Sequence, residues 1–352
     1  MFNRLNQHLN INKIIVPDQY GFRRGINIEN AIFSLTNTIL SSLNKKQVVA
    51  GLFSDLSKAF DSVNHSVLLQ KLSYYGVRGI YLNWFESYLT NRRQKVIIST
   101  HGGNYSSNWE TANSEVPQDS VLGPLLFVIY INDFPYIIHQ IAKPIIYADD
   151  TSILVHAANV MELQVKISDS IYHINEWLLV NGLTLNLEKM NIIKFSSKKS
   201  KEEHTHFRYS NIIKETCSLK FLGLELDKFL NWRNHIDKLL LKLSSACFAI
   251  RSMSSHCNIT TIKMVYCAYF HSLLEYGIAF WGNSNESVKV FKLQKRVIRL
   301  MTGSNVRTSC RPLFPLLGIM TLPSQYIFSM VRFLSRNLEF YTFNSTIHNY
   351  KK

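Results

Sequence analysis

Two short apolar segments separated by Ala-Asp-Asp are the feature that most constrains the fold. Residues 144–147 and 152–155 are apolar and suited to β-strands, and the residues between them form turns readily. Two such segments with so short a connection predict an antiparallel hairpin. Asp149 and Asp150 then lie at its tip.

A third carboxylate follows another strand. Residues 47–54, QVVAGLFS, predict a buried strand that ends at Asp55. Carboxylates that converge from neighbouring strands cannot all be ionised without a counter-charge. Mg²⁺ prefers oxygen ligands and often lies between carboxylates and substrate phosphates. Asp55, Asp149 and Asp150 are therefore candidate metal ligands, although an Asp-Asp pair by itself is also an ordinary turn.

The remaining pattern predicts an α+β region up to about residue 228, followed by an all-helical region. The domains are thus expected at 1–228 and 229–352. The apolar spacing and the turn residues also predict the individual helices and strands. Helices are expected at 27–43, 66–75, 79–89, 120–131 (with Ser120 as N-cap), 160–180, 233–254, 259–276 and 285–302, strands at 94–99, 183–187 and 192–195, a strand pair at 219–226, and a loop or hairpin tip at 101–114.

The charge of the chain indicates an anionic partner. Lys and Arg total 39 against 24 Asp and Glu, a formal charge of +15. Nucleic acid and an acidic membrane surface are the usual partners of such a chain, and a merely high isoelectric point is the alternative. The five cysteines show no Cys-x-x-Cys pair and are interpreted as free thiols in a reducing compartment.

The chain is expected to be soluble and intracellular, in the nucleus or the cytoplasm, without a membrane partner. Its first residues are polar and lack the apolar core of a signal peptide. Its longest apolar run, 122–131, contains Gly123 and Pro124 and is too short to span a bilayer.

Nine short segments stand out in chain order. They are QYGFRR at 19–24, FSDLSKAFD at 53–61 with NH at 64–65, VPQ at 116–118 with SVLGPLLF at 120–127, YIND at 130–133, YADD at 147–150, LNLEK at 185–189, FLG at 221–223 with LD at 226–227, Trp232 and HI at 235–236, YG at 276–277 with WG at 281–282, and LQKR at 293–296. In this order they resemble the reverse transcriptases of non-LTR (LINE-type) retrotransposons, particularly the jockey-like elements of animals. The resemblance covers roughly residues 5–345.

The resemblance implies a right-hand polymerase fold. Partial fingers and a palm with an antiparallel sheet would occupy 1–228, and a helical thumb would follow. It implies RNA-directed DNA synthesis, in which a primer 3′-hydroxyl attacks a dNTP at a site with two Mg²⁺ ions, for which Mn²⁺ could substitute. An RNA template, a DNA primer and dNTP are the implied partners.

Roles for individual residues follow from the matched motifs. Asp55 and Asp149 match the principal metal ligands, with Asp150 beside them. Phe60 matches the aromatic residue that abuts the sugar of the incoming nucleotide, and ordinary core packing is the alternative. Gln118 matches a residue of the nucleotide and template pocket.

Further roles lie outside the carboxylate region. Lys189 matches a lysine near the incoming phosphates, and Arg23 and Arg24 lie in the template-contacting segment. Residues Phe221, Leu222 and Gly223 match the hairpin that holds the primer end. Four basic residues of one thumb helix could contact the duplex phosphates or simply form a solvated face: Lys292, Lys295, Arg296 and Arg299.

Three departures from the family pattern leave two functions open. Glu115 and Asp119 replace the glycines on either side of Val-Pro-Gln, and Met190 replaces a threonine. The acidic side chains bring negative charge toward a site for a triphosphate. The fingers strands and the endonuclease expected upstream are also absent, which predicts an N-terminally truncated element. The chain is thus either a polymerase or a catalytically impaired remnant that at most binds nucleic acid.

Overall fold

The computed structural model describes residues 1–55, 60–100, 102–112, 114–117, 120–184, 190–197 and 214–338. For Asp55, Ala112 and Lys214 only the backbone is described. The chain divides into two compact units, Met1–Cys217 and Ser218–Lys352. The assignment of 1–228 to fingers and palm, and of 229–352 to a thumb, stays a prediction.

The first unit mixes helices and strands, as the sequence pattern predicts. Its described α-helices are α1 (Phe2–Ile11), α2 (Ile28–Asn44), α3 (His65–Tyr74), α4 (Ile80–Leu89), α5 (Gly123–Tyr130) and α6 (Val160–Val180). Its described strands are β1 (Val48–Asp55), β2 (Arg92–Gln94), β3 (Ile97–Thr100), β4 (Gly103–Ser106), β5 (Glu110–Ala112), β6 (Lys143–Tyr147), β7 (Asp150–Ala157), β8 (Asn191–Phe195) and β9 (Lys214–Glu215).

A sheet with the strand order β6-β7-β1-β8-β9 forms the centre of this unit within the described residues. The pairs β6–β7, β7–β1 and β1–β8 are antiparallel, whereas β8 and β9 pair in parallel. The predicted strands before Asp55 and on both sides of the two aspartates are therefore confirmed, and β1 lies in the middle of the sheet.

Both faces of β1 are buried. One face, with Ala50 and Leu52, contributes to a core. That core also includes Ile153 and Val155 of β7 and Leu163 and Ile167 of α6. Val49 and Phe53 point to the other side of the strand and are also buried, and α2 contacts β1, β6 and β7. A strand covered on both sides needs a continuous apolar sequence, which explains why 47–54 lacks polar alternation.

The region between α4 and α5 is a β-ribbon. β2 pairs with β5 and β3 pairs with β4, and nearly all of their described side chains are exposed. The strand predicted at 94–99 is thus wrong in its bounds, because it is two short strands. The 101–114 segment, predicted as a loop or hairpin tip, contains the return strands of this ribbon.

The prediction that Ser120 caps a helix is wrong. α5 begins at Gly123 with Leu122 as its N-cap, and Pro124 lies in its first turn. The Ser120 hydroxyl instead donates to the Pro117 carbonyl (2.6 Å) and accepts from the Gly123 N–H (2.9 Å). Ser120 therefore closes a turn that precedes the helix. Of the strand predicted at 183–187, residues 183–184 are not in a strand, and 185–187 lie outside the described residues.

The second unit begins with a hairpin of β10 (Ser218–Phe221) and β11 (Leu224–Asp227). Its described helices are α7 (Arg233–Met253), α8 (Ile259–Val265), α9 (Ser272–Glu275), α10 (Ile278–Trp281), α11 (Ser287–Met301), α12 (Leu313–Leu317) and α13 (Leu322–Arg336). The buried Asp227 carboxylate joins the hairpin to α7 by accepting the N–H groups of Phe229, Asn231 and Trp232.

The helix predicted at 259–276 is interrupted. A π-helical segment, Tyr266–His271, separates α8 from α9. A pattern of apolar residues cannot reveal such a change of hydrogen bonding, because the apolar spacing stays nearly helical. Among the described residues, no helix has both the length and the apolar character needed to cross a membrane.

Candidate active site at the Ala-Asp-Asp hairpin

The turn between β6 and β7 contains only two residues. Tyr147 pairs with Asp150, so Ala148 and Asp149 form the loop. Ala148 has a φ of +58°, whereas Asp149 is not among the residues with positive φ. This combination is that of a type II′ turn, whose twist matches that of the flanking strands. The hairpin tip predicted from the sequence is therefore confirmed.

The strand register brings the third predicted carboxylate to the same end of the sheet. Asp55 is the last residue of β1 and lies directly opposite Asp150, the first residue of β7. Directly opposite residues of antiparallel strands have Cα atoms about 4.5–5.5 Å apart. The backbone thus brings Asp55 and Asp150 together, with Asp149 next in the chain.

The donor chemistry of these residues fits a divalent cation. Their carboxylates offer oxygen atoms, which hard cations such as Mg²⁺ prefer, and no thiolate or imidazole is among them. Among the side chains that the structure describes, no three His, Cys, Asp or Glu residues form a group that could hold a metal ion. The Asp55 side chain is not one of those described. The grouping of Asp55 with Asp149 and Asp150 as metal ligands therefore rests on the strand register.

The Phe60 side chain packs against the core of the first unit. Its ring contacts the ring of Phe127 on α5, with centroids 4.5 Å apart at an interplanar angle of 30°. Its carbonyl accepts the Val116 N–H at 3.0 Å. The core packing considered for Phe60 is therefore observed, and a contact with a nucleotide sugar stays a prediction.

Glu115 occupies a backbone conformation that favours glycine. Its φ is +89°, and its carbonyl accepts from His65 Nε2 at 2.7 Å. The carboxylate lies 3.9 Å from an Nη1 of Arg92 on the ribbon. A residue with a Cβ is strained at such a φ. This explains in physical terms why the family pattern has a glycine where this chain has Glu115.

Three residues singled out in the sequence lie outside the described residues: Gln118, Asp119 and Lys189. Their proposed roles stay predictions. Met190, which follows Lys189, is buried in the core of the first unit, so its apolar side chain fits its surroundings.

The two arginines of the Gln-Tyr-Gly-Phe-Arg-Arg segment differ in exposure. Arg24 is exposed, whereas Arg23 is partly buried and donates from Nη1 to the carbonyls of Val16 (2.9 Å) and Gln19 (3.1 Å). Burial lowers the pKa of Arg23 below its ordinary value, and the Tyr20 hydroxyl opposes that shift. Arg23 therefore holds its own segment in shape, and template contact by either arginine stays a prediction.

The three residues matched to the primer-holding hairpin lie at the turn between β10 and β11. Phe221 pairs with Leu224, and both loop residues have positive φ, +42° at Leu222 and +84° at Gly223. The Tyr276 hydroxyl donates to the Leu222 carbonyl. A Cβ on Gly223 would lie 2.8 Å from that hydroxyl oxygen, so glycine is required there by both φ and space.

The four basic residues considered for duplex contact lie on α11 but do not form one uniform face. Lys292 and Arg296 are exposed one turn apart. Lys295 lies over the Phe291 ring at 4.7 Å, and Arg299 donates from Nε to the Thr308 carbonyl at 2.7 Å. Lys292 and Arg296 are thus the better placed pair for phosphate contact.

Gln19 contacts the Ala148-Asp149 turn between β6 and β7, which we call the carboxylate turn. It lies in the QYGFRR segment, but the sequence alone gives it no role. The Gln19 side chain accepts the Ala148 N–H, and its segment forms a parallel bridge with Ile146 of β6. No spacing rule links residues so far apart in the chain, so only the three-dimensional structure reveals this contact.

The family follows from comparison with known proteins. Residues 1–226 match the family described as reverse transcriptase (RNA-dependent DNA polymerase). The chain belongs to this reverse transcriptase family. Members of the family generally use divalent metal ions, in agreement with the aspartates at the end of β1 and the start of β7.

The non-LTR resemblance is also confirmed. The chain is 27% identical over 318 residues to the "Probable RNA-directed DNA polymerase from transposon BS" of Drosophila melanogaster, covering 85% of this chain and 34% of the relative. It is 24% identical over 318 residues to the "RNA-directed DNA polymerase from mobile element jockey" of the same species, covering 86% and 34%. The chain spans about a third of the length of these relatives.

A solved structure confirms the fold class. A telomerase from Candida albicans, in complex with a fragment of telomeric RNA, superposes with a TM-score of 0.53 at 10% sequence identity. The match covers 91% of this chain and 58% of that one. The chain, with a central sheet that is antiparallel except for the β8–β9 pair, therefore has the right-hand polymerase fold.

Proposed function

We propose that the chain is the RNA-directed DNA polymerase domain of a non-LTR retrotransposon. In the proposed reaction, the 3′-hydroxyl oxygen of a DNA primer attacks the α-phosphorus of a dNTP in line with the leaving group. A P–O bond forms to the primer, the bond to pyrophosphate breaks, and the hydroxyl proton leaves to solvent or a nearby base. An RNA template selects the dNTP by base pairing.

The carboxylates of Asp55, Asp149 and Asp150 would hold the cations, proposed to be two Mg²⁺ ions with Mn²⁺ as a substitute. When bound, such ions lower the pKa of the attacking hydroxyl and neutralise charge on the leaving pyrophosphate. Phe60 would limit the space at the 2′ position of the sugar. Gln118, Lys189, Arg23 and Arg24 would contact the nucleotide and template, and residues 221–223 would hold the primer end.

The pairing of Asp55 with Asp150, beside Asp149, is the observation that carries this proposal. Three carboxylates at one end of a sheet repel each other unless cations neutralise them, and oxygen ligands suit the cations that assist phosphoryl transfer. The Candida albicans telomerase was solved with a fragment of telomeric RNA, which supports an RNA template here by similarity of fold.

A catalytically impaired remnant is the second candidate. Glu115 at a φ of +89° favours it, because a strained acidic residue stands where the family has a glycine in the loop that leads to Gln118. The formal charge of +15 would still attract nucleic acid, so binding could persist without synthesis.

Primer extension separates the two candidates. Purified chain is incubated with an RNA template, an annealed DNA primer, dNTPs and either Mg²⁺ or Mn²⁺, and a parallel reaction contains EDTA. The polymerase proposal predicts extension that EDTA abolishes. Binding that weakens with salt, together with no extension under either metal, would instead support the remnant.

A further inference from the structure

The buried Gln19 side chain joins its own segment to the Ala148-Asp149 turn. It is 1% exposed, and its Oε1 accepts the N–H of Gly21 at 2.8 Å and the N–H of Ala148 at 3.2 Å. Both partners are donors, so only the amide oxygen can face them. The orientation of the side-chain amide therefore follows from its chemistry.

The Ala148 N–H needs an acceptor from outside its hairpin. In a two-residue hairpin, the first loop residue lies beyond the last ladder pair, here Tyr147 with Asp150. Ala148 is only 5% exposed, so water has little access to it. A buried N–H without a partner is costly, and Gln19 removes that cost while Ala148 adopts its left-handed conformation.

The backbone around Gln19 is fixed against the edge strand of the sheet. The Tyr20 N–H donates to the Ile146 carbonyl at 2.8 Å, and the Ile146 N–H donates to the Asp18 carbonyl at 2.9 Å. A Cβ on Gly21 would lie 2.5 Å from the Ala148 nitrogen. Glycine is thus required for this close approach, and the segment is a rigid support for the turn.

The nitrogen of the Gln19 side-chain amide makes no comparable hydrogen bond with the described residues. This atom, Nε2, is buried. A buried donor without a partner is destabilising, so the nitrogen end of the side chain does not explain a glutamine here. Its oxygen, which holds the turn, does.

We propose that Gln19 is a positioning residue that fixes the Ala148 peptide and thereby the place of the Asp149 carboxylate. The proposal rests on the proposed polymerase function for its catalytic consequence. Without the oxygen, Ala148 is free to leave its strained conformation and the adjacent Asp149 shifts. A displacement of about 1 Å in a group that positions reactants costs up to about 100-fold in rate.

Matched variants test the role of the Gln19 amide oxygen separately from that of the rest of the side chain. Gln19→Met keeps the length and burial of the side chain but removes the acceptor. Gln19→Glu keeps an oxygen in the same place whether the carboxyl group is ionised or not. Gln94→Met, on the exposed strand β2, is the control for the same chemical change elsewhere. Should Gln19→Met not fold, Gln19→Asn withdraws the oxygen by one methylene group.

Two measurements are made on each folded variant: hydrogen exchange at the Ala148 amide, and single-nucleotide extension kinetics. In Gln19→Met we expect exchange at least about fivefold faster, as for loss of one buried hydrogen bond. We also expect kcat about 10- to 100-fold lower, with KM for dNTP nearly unchanged. Gln19→Glu should restore most of the amide protection and rate, and Gln94→Met should match the wild type.

Unchanged Ala148 exchange in Gln19→Met would overturn the proposal, as would a Gln19→Glu variant that exchanges as fast as Gln19→Met. Faster exchange without a fall in kcat would overturn the link to Asp149. If the wild-type chain extends no primer, the proposed function fails. The exchange measurement still decides whether Gln19 holds the turn.

Discussion

The hairpin of Ala148 and Asp149 in the first unit and the hairpin of Leu222 and Gly223 in the second each reverse the chain in two residues. The second turn has positive φ at both positions and places glycine at one of them. The first has positive φ only at Ala148, which leaves the other position in a conformation that a carboxylate-bearing residue adopts without strain.

Each turn is also held by one polar side chain from a distant part of its own unit. Gln19 accepts the N–H of Ala148, and the Tyr276 hydroxyl donates to the carbonyl of Leu222. The difference shows that sequence within a turn does not by itself determine its shape. The carboxylate turn tolerates Ala148 because its environment supports the strain, whereas the other turn requires Gly223.

The largest effect on stability is expected from acidification around the second hairpin. His235 is buried and its Nδ1 accepts the Glu225 N–H of β11 at 3.4 Å. Burial lowers its pKa to about 4, opposed by Glu225. The His235 side chain of the unfolded chain takes up a proton near pH 6.5, whereas in the folded chain it does so only near pH 4. The contribution of neutral His235 to the free energy of unfolding is therefore fully present above pH 6.5 and is lost as the pH falls toward 4. The loss is up to about 3 kcal/mol.

Urea unfolding measured at pH 7 and at pH 4 checks this effect. The variant His235→Gln should lose less stability on acidification than the wild type, because its side chain does not titrate. Equal losses in the two proteins would show that the hairpin does not depend on a neutral His235.

The next effect concerns the glycine of the second turn. Gly223→Ala adds a Cβ at a φ of +84°, 2.8 Å from the Tyr276 hydroxyl, and should destabilise the chain by about 2 kcal/mol. Gly303→Ala is the control, since its φ is +63° but nothing lies within 4 Å of the added Cβ. It should cost about 1 kcal/mol, from conformation alone. Equal losses in urea unfolding would mean that the Tyr276 contact does not matter.

The smallest expected effect is a gain in stability. Glu115, like Ala148, is strained, with a φ of +89°. Its carboxylate forms an ion pair with Arg92 at 3.9 Å, which is too long to offset the strain. Glu115→Gly should therefore stabilise the chain by about 1 kcal/mol. Thermal unfolding measures it, with Glu110→Gly on the exposed strand β5 as the control that should not gain. A loss of stability in Glu115→Gly would contradict the strain.

Much of the fold is visible in the sequence where one element determines its own pattern. The continuous apolar run before Asp55 predicts a buried strand, and the apolar spacing at 160–180 predicts a helix; both are confirmed. The convergence of Asp55 with Asp150 is likewise expected from strand ends and is confirmed for the backbone.

What the sequence does not show depends on distant contacts. Ser120 has the chemistry of an N-cap, yet its hydroxyl binds Pro117 and α5 begins at Gly123. The contact of Gln19 with Ala148 joins residues far apart in the chain. Neither propensity nor periodicity contains that information, because both describe only neighbouring residues.

The most direct test of the central claim is the rate of first-nucleotide addition on an RNA template by the wild type, Asp149→Ala and Asp169→Ala. Asp169 is an exposed aspartate on α6 and serves as the matched control. We predict metal-dependent addition by the wild type and Asp169→Ala, and at least a roughly 1,000-fold loss in Asp149→Ala, since cation placement determines phosphoryl transfer. Addition that persists in Asp149→Ala would contradict the assignment of the Ala-Asp-Asp hairpin as the active site.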